Sequence, residues 1–323
     1  MSDVSSVFGD ESPELRVKVS TRRNLTPDVV EFCMVPIDGG SLPGFAPGAH
    51  IAVKTPSGAV RQYSLIGDGE APNEFRIAIK LEPASRGGSS SMIQNVDVGT
   101  QLIISEPKND FELARSPAYL FIAAGIGITP IYSMAKHAQM EGADFRLIYL
   151  ARSAEMAPYL EELSNEFGSQ LKSHFTAGGG SARYDFWDDF VRPGKEQVYC
   201  CGPKSLIEEI QDISGHWPEG SVHYEDFKPV EVVRPDDQPF EVLLAKSNLR
   251  FTVPADKSIL EAMRENGVQT VSSCESGTCG TCKTKLIAGE VEHRDLVLRD
   301  DEKAEFIMTC VSRSSRGELV LDL

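Results

Sequence analysis

The distribution of apolar and polar residues along the chain changes character twice. Between residue 14 and about residue 105, short apolar runs alternate with turns rich in glycine, proline and asparagine, such as "SLPGFAPGAH". The runs have the length and composition of β-strands: "LRVKVSTRR", "HIAVKT", "VRQYSLIG", "EFRIAIKLE" and "QLIISEP". Because no long helical period interrupts them, the region is typical of a small β-barrel or β-sandwich.

From about residue 117 to residue 227, runs with the pattern of buried strands alternate with runs of helical period. The strand candidates are "AYLFIAA", "FRLIYLAR" and "EQVYCCG". The helix candidates are "TPIYSMAKHAQMEG", with Pro130 in its first turn, "PYLEELSNEFG", and a segment that starts after Pro203. Alternating strands and helices predict a parallel sheet that is covered on both faces.

The pattern changes again near residue 229. Residues 229–239, within "KPVEVVRPDDQP", are rich in proline and acidic residues and predict a linker. After it come the strand candidates "FEVLLAK", "LRFTVP", "TKLIAGEVE" and "GELVLDL", and the helix candidate "SILEAMREN". We therefore predict a barrel domain over residues 1–112, an α/β domain over residues 113–228 and a third domain over residues 240–323.

Composition narrows the class of function. The chain of 323 residues carries a formal net charge of −16, which argues against nucleic acid because a duplex binder needs a positive field. Glycines and Pro130 interrupt the longest apolar stretch, "AYLFIAAGIGITPIYSMA", so it does not predict a membrane span. The N-terminus lacks the apolar run of a signal peptide. We therefore expect a cytoplasmic protein, in which cysteines stay reduced.

Three cysteines are concentrated in one short segment, "SSCESGTCGTCKTKL". Cys274, Cys279 and Cys282 lie within nine residues, and Cys310 follows after 27 more. This C-x4-C-x2-C…C spacing is that of plant-type 2Fe–2S ferredoxins. Zinc sites usually contain two C-x2-C pairs, and only one is present here, so we favour an iron–sulfur cluster over zinc. Cys33 lies outside this set, and we expect it to be a core residue.

Two further segments have the composition of anion-binding loops. "FIAAGIGITPIYSM" is a strand, a glycine-rich turn and a helix, and such a turn lets a pyrophosphate approach backbone N–H groups. "SRGGSSSMI" combines an arginine, a glycine pair and three serines ahead of a predicted helix. Taken alone, each segment is more typical of an ordinary packing turn or a solvated loop. The motif "YCCGPKSLI" lies at a second strand end, where ligands of open α/β sheets collect.

The order of these motifs resembles one known family. R-x-Y-S, R-G-G-S, G-x-G-I-T-P, Y-C-C-G-P, "YEDF" and the plant-type cysteine spacing occur in the same order in the phthalate dioxygenase reductase family, and vanillate-demethylase-type reductases have the same layout. The resemblance covers nearly the whole chain. It implies a multidomain protein: a ferredoxin-reductase-like β-barrel, an α/β nucleotide-binding domain with a parallel sheet, and a C-terminal β-grasp ferredoxin domain of the α+β class.

The resemblance also implies which residues bind the cofactors. The barrel would bind FMN rather than FAD, because the compact "SRGGS" loop suits a terminal phosphate. Arg61 would contact the phosphate, Tyr63 would lie against the ring, and Ser64 would bond near the flavin N5. The remaining residues implied for the FMN site are Ala78, Ile79, Lys80, Arg86, Gly87, Gly88 and Ser89.

NADH would bind to the second domain of such a reductase. Gly125, Gly127 and Thr129 would line the pyrophosphate and nicotinamide side, Cys201 and Gly202 would lie beside the nicotinamide, and Phe227 would shield the flavin. The cluster ligands would be Cys274, Cys279, Cys282 and Cys310. Arg152 and Ser153 follow the second strand and leave NADPH as an alternative, since an arginine there can accept a 2′-phosphate.

The implied function is electron transfer. The chain would be a monomer that passes electrons from NADH through FMN and a 2Fe–2S cluster to a separate Rieske-type aromatic oxygenase or O-demethylase. We expect no residue to act as a catalytic acid or base, because the protein mainly positions its cofactors. The alternatives are a reductase for a cytochrome P450 or other monooxygenase, and a flavin and cluster redox sensor without turnover.

Overall fold

The computed structural model describes residues 14–81, 87–177, 183–227, 234, 236–270, 277, 280–295, 297–299 and 301–323. These residues form two compact units, which are divided in sequence between Phe227 and Lys228. The first unit contains a barrel sheet and a parallel sheet, and the second contains one mixed sheet. Among the described residues, none of the helices combines the length and the apolar composition of a membrane span.

The barrel sheet consists of six antiparallel strands in the order β4-β3-β6-β1-β2-β5. The strands are β1 (Glu14–Thr26), β2 (Val29–Pro36), β3 (His50–Lys54), β4 (Val60–Ser64), β5 (Phe75–Lys80) and β6 (Gln101–Ser105), and helix α1 (Gly88–Asn95) precedes β6. Alternate residues of the strands point inward. Phe32, Ile51, Ile77 and Met92 are among the residues that fill the core.

The sequence pattern did not identify strand β2. The first six of its eight residues, in "VVEFCMVP", are buried, so the strand lacks the alternation of a half-buried strand. It lies between β1 and β5 in the sheet, and Cys33 within it is a core residue as predicted. The helix predicted after "SRGGSSSMI" is α1, which begins earlier, at Gly88 within that segment.

The second sheet is entirely parallel, with the strand order β11-β10-β7-β8-β9. Its strands are β7 (Ala118–Ala124), β8 (Asp144–Ala151), β9 (Leu171–Phe175), β10 (Gln197–Cys201) and β11 (Val222–Glu225). Its helices are α2 (Ile128–Met140), α3 (Leu160–Phe167), α4 (Trp187–Phe190) and α5 (Lys204–Ser214). The predicted parallel sheet is therefore confirmed, with Pro130 in the first turn of α2 and Pro203 just before α5.

The barrel and the parallel sheet share one apolar core. Val29, Ile66 and Ala78 from the barrel region belong to the same buried cluster as Phe121 and Tyr199 from the parallel sheet. Ser133 of α2 adds polar contacts, because its hydroxyl donates to the Leu65 carbonyl at 2.8 Å and accepts from the Gly67 N–H at 3.1 Å. These contacts explain why the first two sheets form a single compact unit.

The second unit contains a five-stranded mixed sheet in the order β13-β12-β16-β14-β15. The strands are β12 (Phe240–Leu244), β13 (Leu249–Val253), β14 (Lys283–Glu292), β15 (Phe306–Met308) and β16 (Arg313–Leu321), with helix α6 (Ile259–Glu265) packed against them. Ser258 and Glu261 form a capping box at the start of α6. In this sheet β12 and β16 are parallel neighbours, and helix α6 packs on one face. This arrangement agrees with the predicted β-grasp fold.

Two buried arginines connect the predicted linker to the second unit. Arg294 donates hydrogen bonds of 2.5 and 2.9 Å to the two carboxylate oxygens of Asp237. Arg313 lies 3.4 Å from the same carboxylate and donates at 3.1 Å to the carbonyl of Gln238. Asp237 and Gln238 fall within residues 229–239, so the end of the predicted linker packs against the unit that follows it. The domain boundaries drawn from the sequence stay predictions.

We predict that Asp237→Asn lowers the free energy of unfolding of the second unit by about 3 kcal/mol, because it removes the buried carboxylate shared by Arg294 and Arg313 and leaves Arg294 only the partly exposed Glu292. Hydrogen bonding to Arg294 lowers the pKa of Asp237 to about 2. The stabilisation is therefore complete above the unfolded pKa, near 4, and is lost as the pH falls towards 2. Thermal unfolding between pH 2 and pH 7, followed by circular dichroism, measures both effects.

Asp322→Asn is the matched control. Asp322 pairs with Lys246 at 3.2 Å on the surface, where an ion pair contributes about 0.5 kcal/mol or less. Equal losses in the two variants would contradict a special role for the buried Asp237 pair.

Candidate functional site

The end of strand β4 and the start of helix α1 form a polar cradle. Arg61, Tyr63 and Ser64 lie on β4, and the Tyr63 hydroxyl is 3.1 Å from the Ser89 hydroxyl of α1. Burial raises the pKa of Tyr63 to about 12, so its hydroxyl stays protonated at neutral pH. Gly87 has a φ of 91°, a left-handed conformation that favours glycine. The structure therefore brings the R-x-Y-S and G-G-S motifs together.

Gly88 makes close contact with Arg61. A Cβ atom built on Gly88 would lie 2.7 Å from Nε and 3.1 Å from Cζ of Arg61. The Arg61 guanidinium also donates through Nη1 to the Val60 carbonyl at 2.7 Å. The missing side chain at Gly88 thus lets the guanidinium lie across the first turn of α1, where free N–H groups and a positive charge suit a phosphate.

Strand β5 contributes the other predicted barrel residues. Helix α1 contacts both β4 and β5, so the segment Ala78–Lys80 lies near the same helix as Arg61. Ile79 points into the barrel core, whereas Ala78 belongs to the core shared with the parallel sheet. The side chain of Ile79 is therefore committed to packing. Arg86, the remaining predicted residue of this set, lies outside the described residues.

The glycine loop after β7 contacts the end of β10. Gly125–Gly127 form a short 3-10 helix at the carboxyl end of β7, and Gly125 has a φ of 55°. A Cβ atom on Gly127 would lie 2.2 Å from the Cys201 carbonyl oxygen and 2.9 Å from the Gly202 nitrogen. The two motifs that the sequence singled out in the α/β region therefore touch through their backbones. They form one edge at the carboxyl ends of β7 and β10, where open α/β sheets bind ligands.

Thr129 and Phe227 differ in their surroundings. The Thr129 hydroxyl is buried and donates to the Ile126 carbonyl at 3.0 Å, so it stabilises the turn between the glycine loop and α2. Phe227 is an exposed aromatic residue two positions after β11 ends. An exposed phenylalanine in this position remains available to cover a bound ring.

Sequence reasoning missed an acidic residue beside Cys201. Glu225 is the last residue of β11 and pairs in register with Cys201, and its Oε2 lies 3.9 Å from the Cys201 Sγ. Burial, with a smaller effect of the Asp110 charge, raises the pKa of Glu225 to about 8. Burial also raises the pKa of the Cys201 thiol well above its usual value. The edge thus carries a neutral thiol and a protonated carboxyl at neutral pH; the signal for Glu225 was the "YEDF" motif.

The structure brings together the two described members of the cysteine motif. Strands β14 and β15 pair with Lys283 opposite Met308, which puts Cys282 and Cys310 at the same end of this ladder. The Thr309 hydroxyl donates to the Cys282 carbonyl at 3.2 Å, and both thiols lie in one buried cluster. Cys274 and Cys279 lie outside the described residues.

The loop glycines fit a backbone that wraps closely around an inorganic core. Gly277 and Gly280 have φ values of 77° and 81°, where glycine is favoured. A Cβ atom on Gly277 would lie 2.9 Å from Val311 and 3.2 Å from the Cα of Asp295. None of the described cysteines forms a disulfide. The two buried thiols of Cys282 and Cys310 supply half of the four-cysteine ligand set that a 2Fe–2S cluster requires, and the glycines suit the backbone around it.

We predict that Gly127→Ala weakens binding of pyridine nucleotide more than tenfold and lowers the unfolding temperature of the first unit. The added methyl would collide with the Cys201 backbone, which cannot move without displacing the end of β10. Isothermal titration with NADH and differential scanning calorimetry measure the two effects.

Gly215→Ala is the matched control for this prediction. Gly215 has almost the same backbone conformation as Gly127, with φ values of −57° and −60°, but the nearest atom to its Cβ would be 3.8 Å away. We expect wild-type nucleotide binding from this variant. Normal binding by Gly127→Ala as well would show that the close contact is dispensable.

Comparison with known proteins identifies the domain that contains the cysteine motif and relatives of the whole chain. Residues 242–315 match the 2Fe-2S iron-sulfur cluster binding domain. Phthalate dioxygenase reductase from Burkholderia cepacia is 44% identical over 313 residues, which cover 96% of this chain and 97% of that protein.

Two solved structures extend the comparison. A structure titled phthalate dioxygenase reductase, a modular structure for electron transfer from pyridine nucleotides to [2Fe-2S], superposes with a TM-score of 0.85 at 42% identity, covering 96% of this chain and 98% of that one. An intact type IV self-sufficient cytochrome P450 monooxygenase is 31% identical with a TM-score of 0.74, and covers 100% of this chain but 43% of its own.

These similarities confirm the family and the three-part architecture that the motif order indicated. The barrel sheet, the parallel sheet and the cluster-binding domain occur in the expected sequence order. This chain therefore belongs to the phthalate dioxygenase reductase family, the electron-transferring oxidoreductases that serve as reductase components of oxygenase systems.

Proposed function

We propose that this protein transfers electrons from NADH to FMN in the barrel, and from there through its 2Fe–2S cluster to a separate Rieske-type aromatic oxygenase or O-demethylase. When bound, FMN accepts two electrons together and releases them singly, which a one-electron cluster requires. The observation that carries the proposal is the backbone contact between Gly127 and Cys201 in the same compact unit as the R-x-Y-S cradle.

The barrel residues fit a flavin with a terminal phosphate. Arg61 and the first turn of α1 supply a guanidinium and N–H groups, and the Tyr63 and Ser89 hydroxyls supply further hydrogen bonds. We assign phosphate binding to Arg61, Gly87, Gly88 and Ser89, with Lys80 and Arg86 as additional cations. Ser64 and Tyr63, with the backbone of Ala78 and Ile79, would orient the ring, and Phe227 would cover it.

The α/β residues fit a dinucleotide. Gly125 and Gly127 leave the backbone open to the pyrophosphate, and Thr129 stabilises that turn. Cys201 and Gly202 would lie beside the nicotinamide. Because burial raises the pKa of the Cys201 thiol, the thiol stays neutral and places no negative charge next to the ring. These residues position the reacting groups, and we assign none of them the role of a catalytic acid or base.

NADH is favoured over NADPH by the charges after β8. Arg152 is exposed, but Glu155 follows it closely, and hydrogen bonding from the Ser153 side chain lowers the pKa of Glu155. The Ser153 hydroxyl is therefore engaged by a carboxylate. A negative charge here opposes a ribose 2′-phosphate and accepts hydrogen bonds from a free 2′-hydroxyl.

The cluster would be held by Cys282 and Cys310 together with Cys274 and Cys279. We propose the cytoplasm as the compartment, because thiolate ligands need a reducing environment, and a monomer as the working form. The similarity to a self-sufficient P450 monooxygenase supports a cytochrome P450 or other monooxygenase as a second candidate acceptor. A redox sensor with the same cofactors would not turn over NADH.

We predict that Cys282→Ser abolishes NADH-dependent reduction of cytochrome c yet retains most of the reduction of ferricyanide, because ferricyanide can take electrons directly from the flavin. Steady-state assays with both acceptors measure this ratio. Cys33→Ala, a buried thiol of the barrel, is the control and should change both rates equally.

Each outcome bears on a different part of the proposal. Equal loss of both activities in Cys282→Ser would contradict an order in which flavin precedes cluster. No NADH oxidation by the unmodified protein with any acceptor would favour the sensor. Faster reduction of a purified P450 than of a Rieske oxygenase would favour the second candidate acceptor.

We predict that Glu225→Gln changes the pH dependence of nucleotide binding. The Glu225 carboxyl is neutral below its raised pKa of about 8 and acquires a negative charge above it. The oxidised nicotinamide ring is positively charged and the reduced ring is neutral, so the affinity for NAD+ relative to NADH should rise as the pH increases from 7 to 9. Glu225→Gln should abolish this rise, as measured by fluorescence titration with each nucleotide.

The pKa shift also has a consequence for stability. The folded protein binds this proton more tightly than the unfolded chain, whose carboxyl has a pKa of 4.5, so the stabilisation is present below that pH and is lost as the pH rises to about 8.

An identical pH dependence of nucleotide affinity in Glu225→Gln and the unmodified protein would contradict the assignment of this edge to nicotinamide.

A further inference from the structure

A buried carboxylate joins the barrel to helix α3 of the parallel-sheet region. Glu31 of β2 is 3% exposed, accepts hydrogen bonds of 3.0 and 3.3 Å from Arg23 of β1, and lies 3.7 Å from Arg76 of β5. The Tyr159 hydroxyl, from the start of α3, donates to Glu31 at 2.7 Å. The Tyr159 hydroxyl therefore connects Glu31 and its arginine partners in the barrel to the start of helix α3.

The same two arginines also contact α3 directly. Arg23 lies 2.6 Å and Arg76 3.5 Å from the carboxylate of Glu162. The Arg76 guanidinium also lies over the ring of Tyr159, at 5.3 Å from its centroid. Both cations and the phenol therefore contact Glu31, so the buried carboxylate is compensated by partners from the barrel and from α3.

The backbone of Tyr159 is strained. Its φ of 64° is in the left-handed region, which is unfavourable for a bulky residue with a Cβ atom. Such conformations persist where the surrounding structure holds them, and they concentrate at functional sites. Here the strained residue is held at its hydroxyl by Glu31 and at its ring by Arg76.

A second tyrosine continues the connection to the glycine loop. Tyr149 of β8 is fully buried, and its hydroxyl lies 3.0 Å from the carbonyl of Pro158, the residue before Tyr159, and 3.3 Å from the carbonyl of Gly125. Burial raises the pKa of Tyr149 well above its usual value, so the phenol remains a donor. A path thus leads from Glu31 through Tyr159 and the adjoining Pro158 carbonyl to the Tyr149 hydroxyl, whose single proton is shared between the Pro158 and Gly125 carbonyls.

We infer that Tyr159 and Tyr149 are positioning residues for hydride transfer, which fix the glycine loop relative to the barrel through Glu31. This inference rests on the proposed function, in which the barrel holds FMN and the glycine loop holds NADH. Hydride transfer requires the donor and acceptor atoms in near contact, and a displacement of about 1 Å can reduce the rate about a hundredfold. A polar bridge between the two binding regions sets that distance with more directional precision than apolar packing provides.

The test compares Tyr159→Phe and Tyr149→Phe with the unmodified holoenzyme. Each variant retains the buried ring and loses only the bridging hydroxyl. We expect the rate constant for flavin reduction by NADH, measured by anaerobic stopped-flow at 10 °C, to fall about tenfold or more in each. The long-wavelength absorbance of the complex between reduced nicotinamide and flavin should weaken, while FMN and iron content remain unchanged.

Tyr132→Phe is the matched control. The Tyr132 hydroxyl donates at 2.8 Å to Glu166 of α3, and its ring lies near Arg76, but it does not bridge Glu31 and Gly125. We expect a reduction rate within about twofold of the unmodified protein. Combining Tyr159→Phe with Tyr149→Phe should add little to the larger single effect, because residues of one connected path are not independent.

The possible results separate this inference from the proposed function. If the unmodified protein is reduced by NADH while both tyrosine variants match Tyr132→Phe in rate and absorbance, the inference is wrong and the function stands. A lower unfolding temperature with unchanged kinetics would also overturn it, since that is the result of a purely structural role. If NADH does not reduce the flavin of the unmodified protein, the proposed function fails and this inference fails with it.

Discussion

The close backbone contact between Gly127 and the Cys201 carbonyl is the constraint on which the nucleotide-binding half depends. Only a glycine leaves room for the loop after β7 to touch the end of β10. The contact creates a continuous edge from the glycine loop to the Cys201 thiol and the Glu225 carboxyl. A dinucleotide that lies along this edge would meet open backbone at one end and an uncharged thiol and carboxyl at the other.

The first unit combines two kinds of connection between its sheets. Apolar residues such as Ala78 and Phe121 supply area and hence most of the stabilisation, because burial of apolar surface is non-directional and additive. The Glu31, Tyr159 and Tyr149 path supplies direction, since its hydrogen bonds join specific atoms of the barrel to specific atoms of the glycine loop. Electron transfer between two bound cofactors needs both a durable assembly and a fixed separation.

In the second unit, a buried network of charged side chains holds the incoming chain against the sheet. Asp237 pairs with Arg294 and Arg313, so the chain that leads into the cluster domain is bound to that domain before β12 begins. The segment after Arg294 packs near the cysteine loop, because the Cα of Asp295 lies beside Gly277. Arg294 therefore lies between the segment that leads into this domain, which it contacts at Asp237, and the loop that carries the cysteine motif.

Local chemistry allowed much of this protein to be predicted from its sequence. Cysteine spacing indicated the cluster, glycine-rich strand ends indicated the nucleotide edge, and alternating strands and helices indicated the parallel sheet, because each of these depends on residues close together in the chain. The pattern missed β2, whose buried residues do not alternate, and it missed Glu225, whose pKa is raised mainly by burial in the folded chain. It also gave no sign that Glu31 and Tyr159 meet, since 128 positions separate them. Tertiary structure alone decided these contacts, because pairing across sheets depends on how whole elements pack rather than on any local preference.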